Sequence, residues 1–422
     1  MSYVKVGSRE HRLVMGCMLV GSIISFAIMY SPQPLISLFS KEYNVSPSTA
    51  SFSISFTTLT LGIALLFVPM LSRMWGRKKT MNVSLILTSV FAITSAVFHN
   101  FNFFLFMRLL EGVSIAGFPS VAIVYLNEEF HPKDIGKVIG AYVAGTAIGG
   151  FTGRVIIGAL TDLFSWQIAV MAVGVLCLIG AIWFGFNLPE SKNFKTGSSS
   201  LKLWSLNILG CFRDMNLIIL YIIGFIAMGT YIAILNYIGY PLTRPPYNLS
   251  QTVFGFIFVV NLTGTISAFW FGKLADKYPR AQVTCLAVSI FITGALCTLH
   301  RLLLVKILGI TMVAFGFFAT HAVVSGWIGI LAPKKYKAQA SSFYLLFYYL
   351  GSCLVGWLGG FFLKSFDWIG VVGYAIILAT IVFAIAPRIT IDKPILSSNE
   401  LADYKNKRVV RPKEEDLNLS NV

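Results

Sequence analysis

The chain has 422 residues, of which 56% are hydrophobic and only 12% charged, and its mean hydropathy is +0.76. A water-soluble domain carries about 25% charged residues, so that class is excluded and the apolar bulk has to be covered by lipid. A formal charge of +16 would point to nucleic acid on a soluble protein, but here the placement of the charges reads as a topology signal, and no nucleic-acid partner is implied.

About 20 apolar residues of helix cross a bilayer core, and twelve segments qualify: 12–36, 50–72, 81–99, 103–126, 137–161, 166–187, 216–238, 251–272, 281–299, 303–327, 338–363 and 368–387. The predicted fold class is an all-α membrane protein of twelve transmembrane helices. The first span opens near Leu13 behind a short basic stretch. Its length and the spans close behind it make it a permanent anchor and not a cleaved signal peptide. Of the 33 Lys and Arg, Lys41, Arg244, Arg301, Lys306 and Lys364 fall on one side, Arg108 and Arg154 fall within spans, and all the others sit in the alternate connections. The positive-inside rule then places both termini in the cytoplasm, which requires an even number of spans.

Taken in chain order, polar groups inside spans are few. Span 1 carries Gln33. Span 4 carries Arg108 and Glu111, three residues apart and so on one helical face, where they can neutralise each other. Ionisable groups at this depth are costly unless they face a protein interior or a water-filled cavity, so the pair reads as a proton-linked switch or, in the alternative, as a static ion pair fixing the helix. Span 5 has Gly145, Gly149 and Gly153 at every fourth position, a stripe that lets helix backbones approach closely in lipid. Arg154 follows it, either as an anion contact in a cavity or snorkelling to the outer headgroups. Asp162, at the outer end of that span, reads as solvated.

Residues 189–215, including the run KTGSSSLK, form a predicted cytoplasmic linker between two six-helix bundles, 1–188 and 216–388. Residues 389–422 are charged and poor in apolar runs, which predicts a disordered cytoplasmic tail. In the second half, Asn236 and Tyr237 of span 7 face the first half together with Gln33. Buried amides need partners, and substrate or a neighbouring helix can supply them. His321 in span 10 is a proton carrier or a hydrogen-bonded core histidine. The 35 Phe and 17 Tyr read as lipid-facing or core filling, with no stripe marking a ligand pocket. The two halves repeat: Gly76 in PMLSRMWGRKK matches Pro279 in GKLADKYPR, and the Gly145–Arg154 run matches Gly351–Gly360. Internal duplication of this kind marks secondary transporters.

These residues resemble the major facilitator superfamily over essentially the whole chain. The loop signature of that family is matched in the second half by Gly272, Asp276, Lys277 and Arg280. In the first half it is matched by Gly76, Arg77 and Lys78, with Arg73 where the family has its acid. The resemblance implies that these loops contribute to gating; from the residues alone they serve topology. RLLEG at Arg108–Gly112 is similar to a pattern of proton-coupled carriers, with Glu111 in place of Gln, and GTAIGGFTGR is similar to the glycine-rich pattern of the drug:proton antiporter branch. YSPQPLISLF, NYIGYPL and GFFATHAVVSGW look most like the arabinose-efflux-type bacterial permeases. The resemblance implies proton-coupled efflux of a small molecule by alternating access, from a monomer in the bacterial cell membrane, with protons and the cargo as partners. The alternative within the same fold is a symporter or facilitator importing a metabolite.

No cofactor is implied. The chain has no GxxxxGK[ST] loop for a nucleotide. Its six cysteines show no CxxC spacing, which argues against a metal site or disulfide framework. Its five His are scattered, so no cluster for membrane-embedded catalysis forms and an enzyme is not expected. A twofold repeat also provides no ring of filter residues for a channel.

Overall fold

A computed structural model describes residues 3–131, 133–194, 211–333 and 336–389. Most of the expected linker and nearly all of the expected tail therefore lie outside the described residues. In the first half the helices are α1 (Arg9–Tyr30), α2 (Ile36–Glu42), α3 (Pro47–Ala64), α4 (Val68–Trp75), α5 (Arg77–Ser95), α6 (Phe101–Ile115), α7 (Gly117–Glu129), α8 (Ile135–Leu163) and α9 (Trp166–Asn187). In the second they are α10 (Met215–Tyr237), α11 (Gly239–Leu242), α12 (Gln251–Ile257), α13 (Thr263–Lys277), α14 (Arg280–Cys297), α15 (Leu303–Leu331) and α16 (Lys337–Ile385).

Capping residues set many of the starts. Ser8, Ser46, Asn100, Ser165, Asp214 and Ser250 each accept a backbone N–H of the first turn, satisfying donors a helix cannot pair internally. Prolines set two of the breaks. The segment after Tyr30 holds Pro32 and Pro34, and α1 gives way there to a short 3-10 turn over Gln33–Leu35. In the second half α10 stops at Tyr237 and α11 contains Pro241. Both sites read Tyr, three residues, Pro, Leu, so the opening helix of each half is interrupted at the equivalent place.

Among the described residues, nine helical segments are long and apolar enough to cross a membrane, or ten if α3 and α4, bent by 60° at their junction, are counted as one. The difference from the twelve predicted spans has two physical sources. The helix α5 opens with Arg77, Lys78 and Lys79 and carries Ser and Thr along its length. The helix α16 is counted once, yet its 49 residues would measure about 74 Å at about 1.5 Å each. It is broken at Asp367, where φ is 54° and ψ is −154°.

Within the first half α1 packs on α8 and α9, α3 on α6, and α5 on α6, α7 and α9. Within the second, α10 packs on α16, and α15 on α13 and α14. The halves meet principally through α3 against α16 and α8 against α12. Those contacts gather at one end of the molecule. Phe52 stacks on Trp357 with ring centroids 5.9 Å apart, and Tyr240 donates to the Ile36 carbonyl at 3.5 Å. Farther along, a side chain added at Gly62 would lie 2.9 Å from Tyr349, and the chain then bends into α4, away from α16. Gly140 of α8 and Gly326 of α15 are exposed. The halves are thus joined along α3 and at the C-terminal end of α8.

Candidate functional site

The break in α1 explains where Arg108 goes. Pro32 has no N–H, so the Ile28 carbonyl loses its helical donor, and the Met29 carbonyl belongs to the last turn, whose carbonyls lack helical donors. Arg108 of α6 fills both vacancies: Nη1 donates to the Ile28 carbonyl at 3.1 Å and Nη2 to the Met29 carbonyl at 2.7 Å. Its Nε donates to the Ser53 carbonyl of α3 at 2.7 Å, and Thr57 returns a bond to the Arg108 carbonyl at 3.0 Å. A cation at a helix C-terminus also opposes the helix dipole. Arg108 thus ties α1, α3 and α6 together.

The remaining Arg108 bond is the ion pair with Glu111, as the spacing predicts. Both side chains are buried, at 2% and 1% exposure. Only Oε2 of Glu111 is engaged; Oε1 is buried with no hydrogen-bond partner among the described residues. Gly112, on the next residue, allows α6 to press directly on Thr57 and Thr60 of α3.

A second polar group lies where the two halves meet. Arg154 of α8 donates from Nε and Nη2 to Oε1 of Gln33 at 2.9 and 2.6 Å, and from Nη1 to the Gly150 carbonyl at 2.5 Å. Gln33 in turn donates from Nε2 to Oδ1 of Asn236 at 2.8 Å. This chain of bonds, Arg154 to Gln33 to Asn236, crosses from one half to the other. The guanidinium is also sandwiched between the rings of Tyr30 and Phe258, at 4.4 and 4.7 Å. Arg154 does not snorkel: it is 4% exposed and points inward. Tyr237 is not part of the chain; its hydroxyl donates to the Trp357 carbonyl at 3.2 Å within its own half.

His321 stands apart from both groups, with Nδ1 2.8 Å from the Tyr344 hydroxyl and its ring 4.8 Å from that of Tyr348. The glycine stripe of α8 faces α1. A Cβ on Gly149 or Gly153 would lie 2.6 Å from the Cα of Ile23 or Ala27, whereas one on Gly145 would meet only side chains, at 3.0–3.3 Å. This contact brings Arg154 against the broken end of α1.

The loops differ between halves. Gly76 turns from α4 into α5 with φ 91°, a conformation suited to glycine. Arg77 forms a two-pronged pair with Glu128 at the end of α7, at 3.1 and 2.7 Å, and donates to Ser72 at 2.5 Å. The acid missing at Arg73 is thus supplied by another helix. Lys78 lies 3.7 Å from Glu190. In the second half Arg280 pairs with Asp276 at 3.4 Å, one turn away, while Gly272 borders open space.

Three features were missed by the sequence reading. Asp162, expected to be solvated, is exposed but not free: Oδ1 accepts from the Gln251 N–H at 3.1 Å and Oδ2 from Thr252 N–H and hydroxyl at 2.7 and 2.6 Å. It caps α12 from across the interface, because an acid at a helix N-terminus meets unpaired donors and a favourable dipole. Lys306 is buried, with its ammonium on the Thr298 carbonyl. The aromatics also gather: Tyr231 stacks on Phe317 at 3.9 Å, and Phe317, His321, Tyr344 and Tyr348 continue the wall.

Comparison with known proteins was made against this geometry. A sequence profile described as the Major Facilitator Superfamily matches residues 18–356 and 237–414. The chain is 39% identical over 373 residues to the uncharacterized MFS-type transporter YybF of Bacillus subtilis (strain 168), covering 88% of this chain and 92% of that one. It is 36% identical over 387 residues to the inner membrane transport protein YnfM of Escherichia coli (strain K12), covering 92% and 93%. Among solved structures it is similar to the inward open conformation of the xylose transporter XylE from E. coli, with a TM-score of 0.70 at 14% identity over 94% of this chain and 99% of that one.

Proposed function

Because the chain belongs to the Major Facilitator Superfamily and is a membrane transporter, not an enzyme, we propose that it exports a small molecule in exchange for protons by alternating access. In this reading twelve spans cross the bacterial cell membrane, both termini are cytoplasmic, and the monomer is the working unit. On the same reading a vestibule between the halves opens to the cytoplasm, opposite the end where α8 meets α12. The likeness of GTAIGGFTGR to the glycine-rich pattern of the drug:proton antiporter branch supports membership of that branch, near the arabinose-efflux-type permeases.

The observation that carries proton coupling is the buried Arg108–Glu111 pair with one carboxylate oxygen unsatisfied. An ionised carboxyl at this depth is held by a single partner, so loading a proton on Glu111 dissolves the pair without leaving a buried anion. Arg108 then holds the α1 end through carbonyls alone. That end continues into Gln33, whose bonds to Arg154 and Asn236 help close the vestibule. Protonation and closure thereby act on one helix break. Rocking of two bundles about a central site is how duplicated carriers of this kind move cargo.

Two measurements test the reading. Deleting the gene should raise, and overexpressing it lower, the intracellular level of the cargo in metabolite and drug-susceptibility profiles; an importer gives the opposite sign. In proteoliposomes an imposed pH gradient should drive the cargo, and flux indifferent to that gradient removes the proton from the mechanism.

A further inference from the structure

Arg154 is a cation buried at membrane depth with no anionic partner. None of the ion pairs among the described residues includes it. Arg108, the other arginine within a span, is neutralised by Glu111. A guanidinium offers five N–H groups in a planar fork. Three are used by Gln33 and Gly150, and two are left over. Gln33 supplies a neutral oxygen, and the rings of Tyr30 and Phe258 cover the two faces of the fork. Burying a cation on neutral acceptors alone is unfavourable, so its place at the blind end of a route needs a reason beyond packing.

The walls beside it are aromatic. The Tyr30 ring lies 4.4 Å from the Arg154 guanidinium. Tyr231 lies flat on Phe317, and half-buried Tyr348 packs against the same ring at 6.1 Å. Four helices, α1, α8, α10 and α15, with α16 behind them, therefore bring one unpaired positive charge and several flat apolar faces to the same point. A cationic amine reaching that point would meet a like charge in a low dielectric. An anion would complete the fork.

Resting on the reading of this chain as a carrier with a central site, we propose that the cargo is a small organic anion, a carboxylate on a flat apolar body. Its carboxylate docks on Arg154 in exchange for the Oε1 of Gln33, and its body lies against Tyr30, Tyr231 and Tyr348. Release of Gln33 also frees Asn236, so binding of the anion loosens the bond that joins the halves at the closed end.

The full-length protein in nanodiscs of purely zwitterionic lipid, where no anionic headgroup can fill the site, is titrated with phenylacetate, phenylacetamide and phenethylamine, three probes sharing one ring. Thermal stability is the readout. Phenylacetate should stabilise at concentrations roughly ten- to a hundredfold lower than the amide, the worth of one hydrogen bond to a charged group, and the amine should not stabilise. In Arg154→Gln the advantage of the carboxylate over the amide should vanish, and in Arg154→Lys part of it should remain. An amine that stabilises as well as the carboxylate overturns the proposal, as does a carboxylate preference that survives in Arg154→Gln, or silence from phenylacetate throughout. If Arg154→Gln fails to fold, the wild-type ranking of the three probes decides alone. A neutral or cationic cargo found in the metabolite profiles would remove this inference and leave the carrier intact, whereas no cargo movement at all would remove the carrier reading itself.

Discussion

Gly158 of α8 sits under the cap that Asp162 places on α12, and replacing it tests whether closure at this end is one state of a moving machine. A Cβ at Gly158 would overlap the Gln251 carbonyl oxygen and lie 2.9 Å from its carbon and 3.2 Å from the Thr252 nitrogen, where comfortable contact needs about 3.5–4.0 Å. The halves must part by more than about 1 Å, and overpacking of that kind costs about 1–3 kcal/mol. The strain exists only while this end is shut, so Gly158→Ala should lower the ratio of shut to open forms by roughly five- to a hundredfold. Gly149→Ala is the control: its Cβ would meet Ile23 at 2.6 Å, but α1 and α8 belong to one half and stay together in every state. It should lower the melting temperature without moving the equilibrium. Double electron–electron resonance between labels at exposed Leu163 and Arg244 reads the separation across the shut end. An unchanged distance distribution in Gly158→Ala, or an equal shift in Gly149→Ala, would refute the reasoning.

Glu111→Gln should keep cargo binding and lose transport driven by a pH gradient in proteoliposomes, and unchanged proton-coupled flux would exclude Glu111. Arg108→Lys keeps the charge beside Glu111 but gives up the fork to Ile28, Met29 and Ser53; a loss of roughly 2 kcal/mol or more is expected, seen as a lower melting temperature at every pH. Asp162→Ala removes the acceptor of three bonds to α12 and should weaken closure by about 1 kcal/mol. A cysteine at Ser48, buried beneath Gly360, should then react faster with a membrane-impermeant thiol reagent. High salt should reduce the difference, because the carboxylate is exposed and screened.

Spacing alone made Arg108 and Glu111 visible, since two charges one turn apart in an apolar run are a local signal. What Arg108 does with its other N–H groups was not visible: two of its acceptors are carbonyls at the broken end of α1, some eighty residues away. Gln33 and Asn236 were legible as buried amides in need of partners, and each turned out to be the other's partner. For Arg154 the residues left open whether it faced inward or outward, because the answer depends on the glycine stripe pressing α8 onto the end of α1. Asp162 misled for the opposite reason, as a cap donated from another half leaves no trace in the sequence around it. The aromatic wall is assembled from single residues on separate helices, so no window along the chain contains it. The span count suffers where helices bend, at α3–α4 and at Asp367, since hydropathy reports apolar length and not direction.

The one-sided meeting of the halves has a practical corollary for blocking this protein. A ligand too bulky to be carried, yet shaped to enter the vestibule of the proposed reading, would jam the molecule only when supplied from the compartment to which that vestibule opens. Added from the other side it would find Phe52, Trp357 and the Asp162 clasp shut against it. Sidedness of inhibition would therefore report the resting posture of the transporter in an intact cell without any label attached.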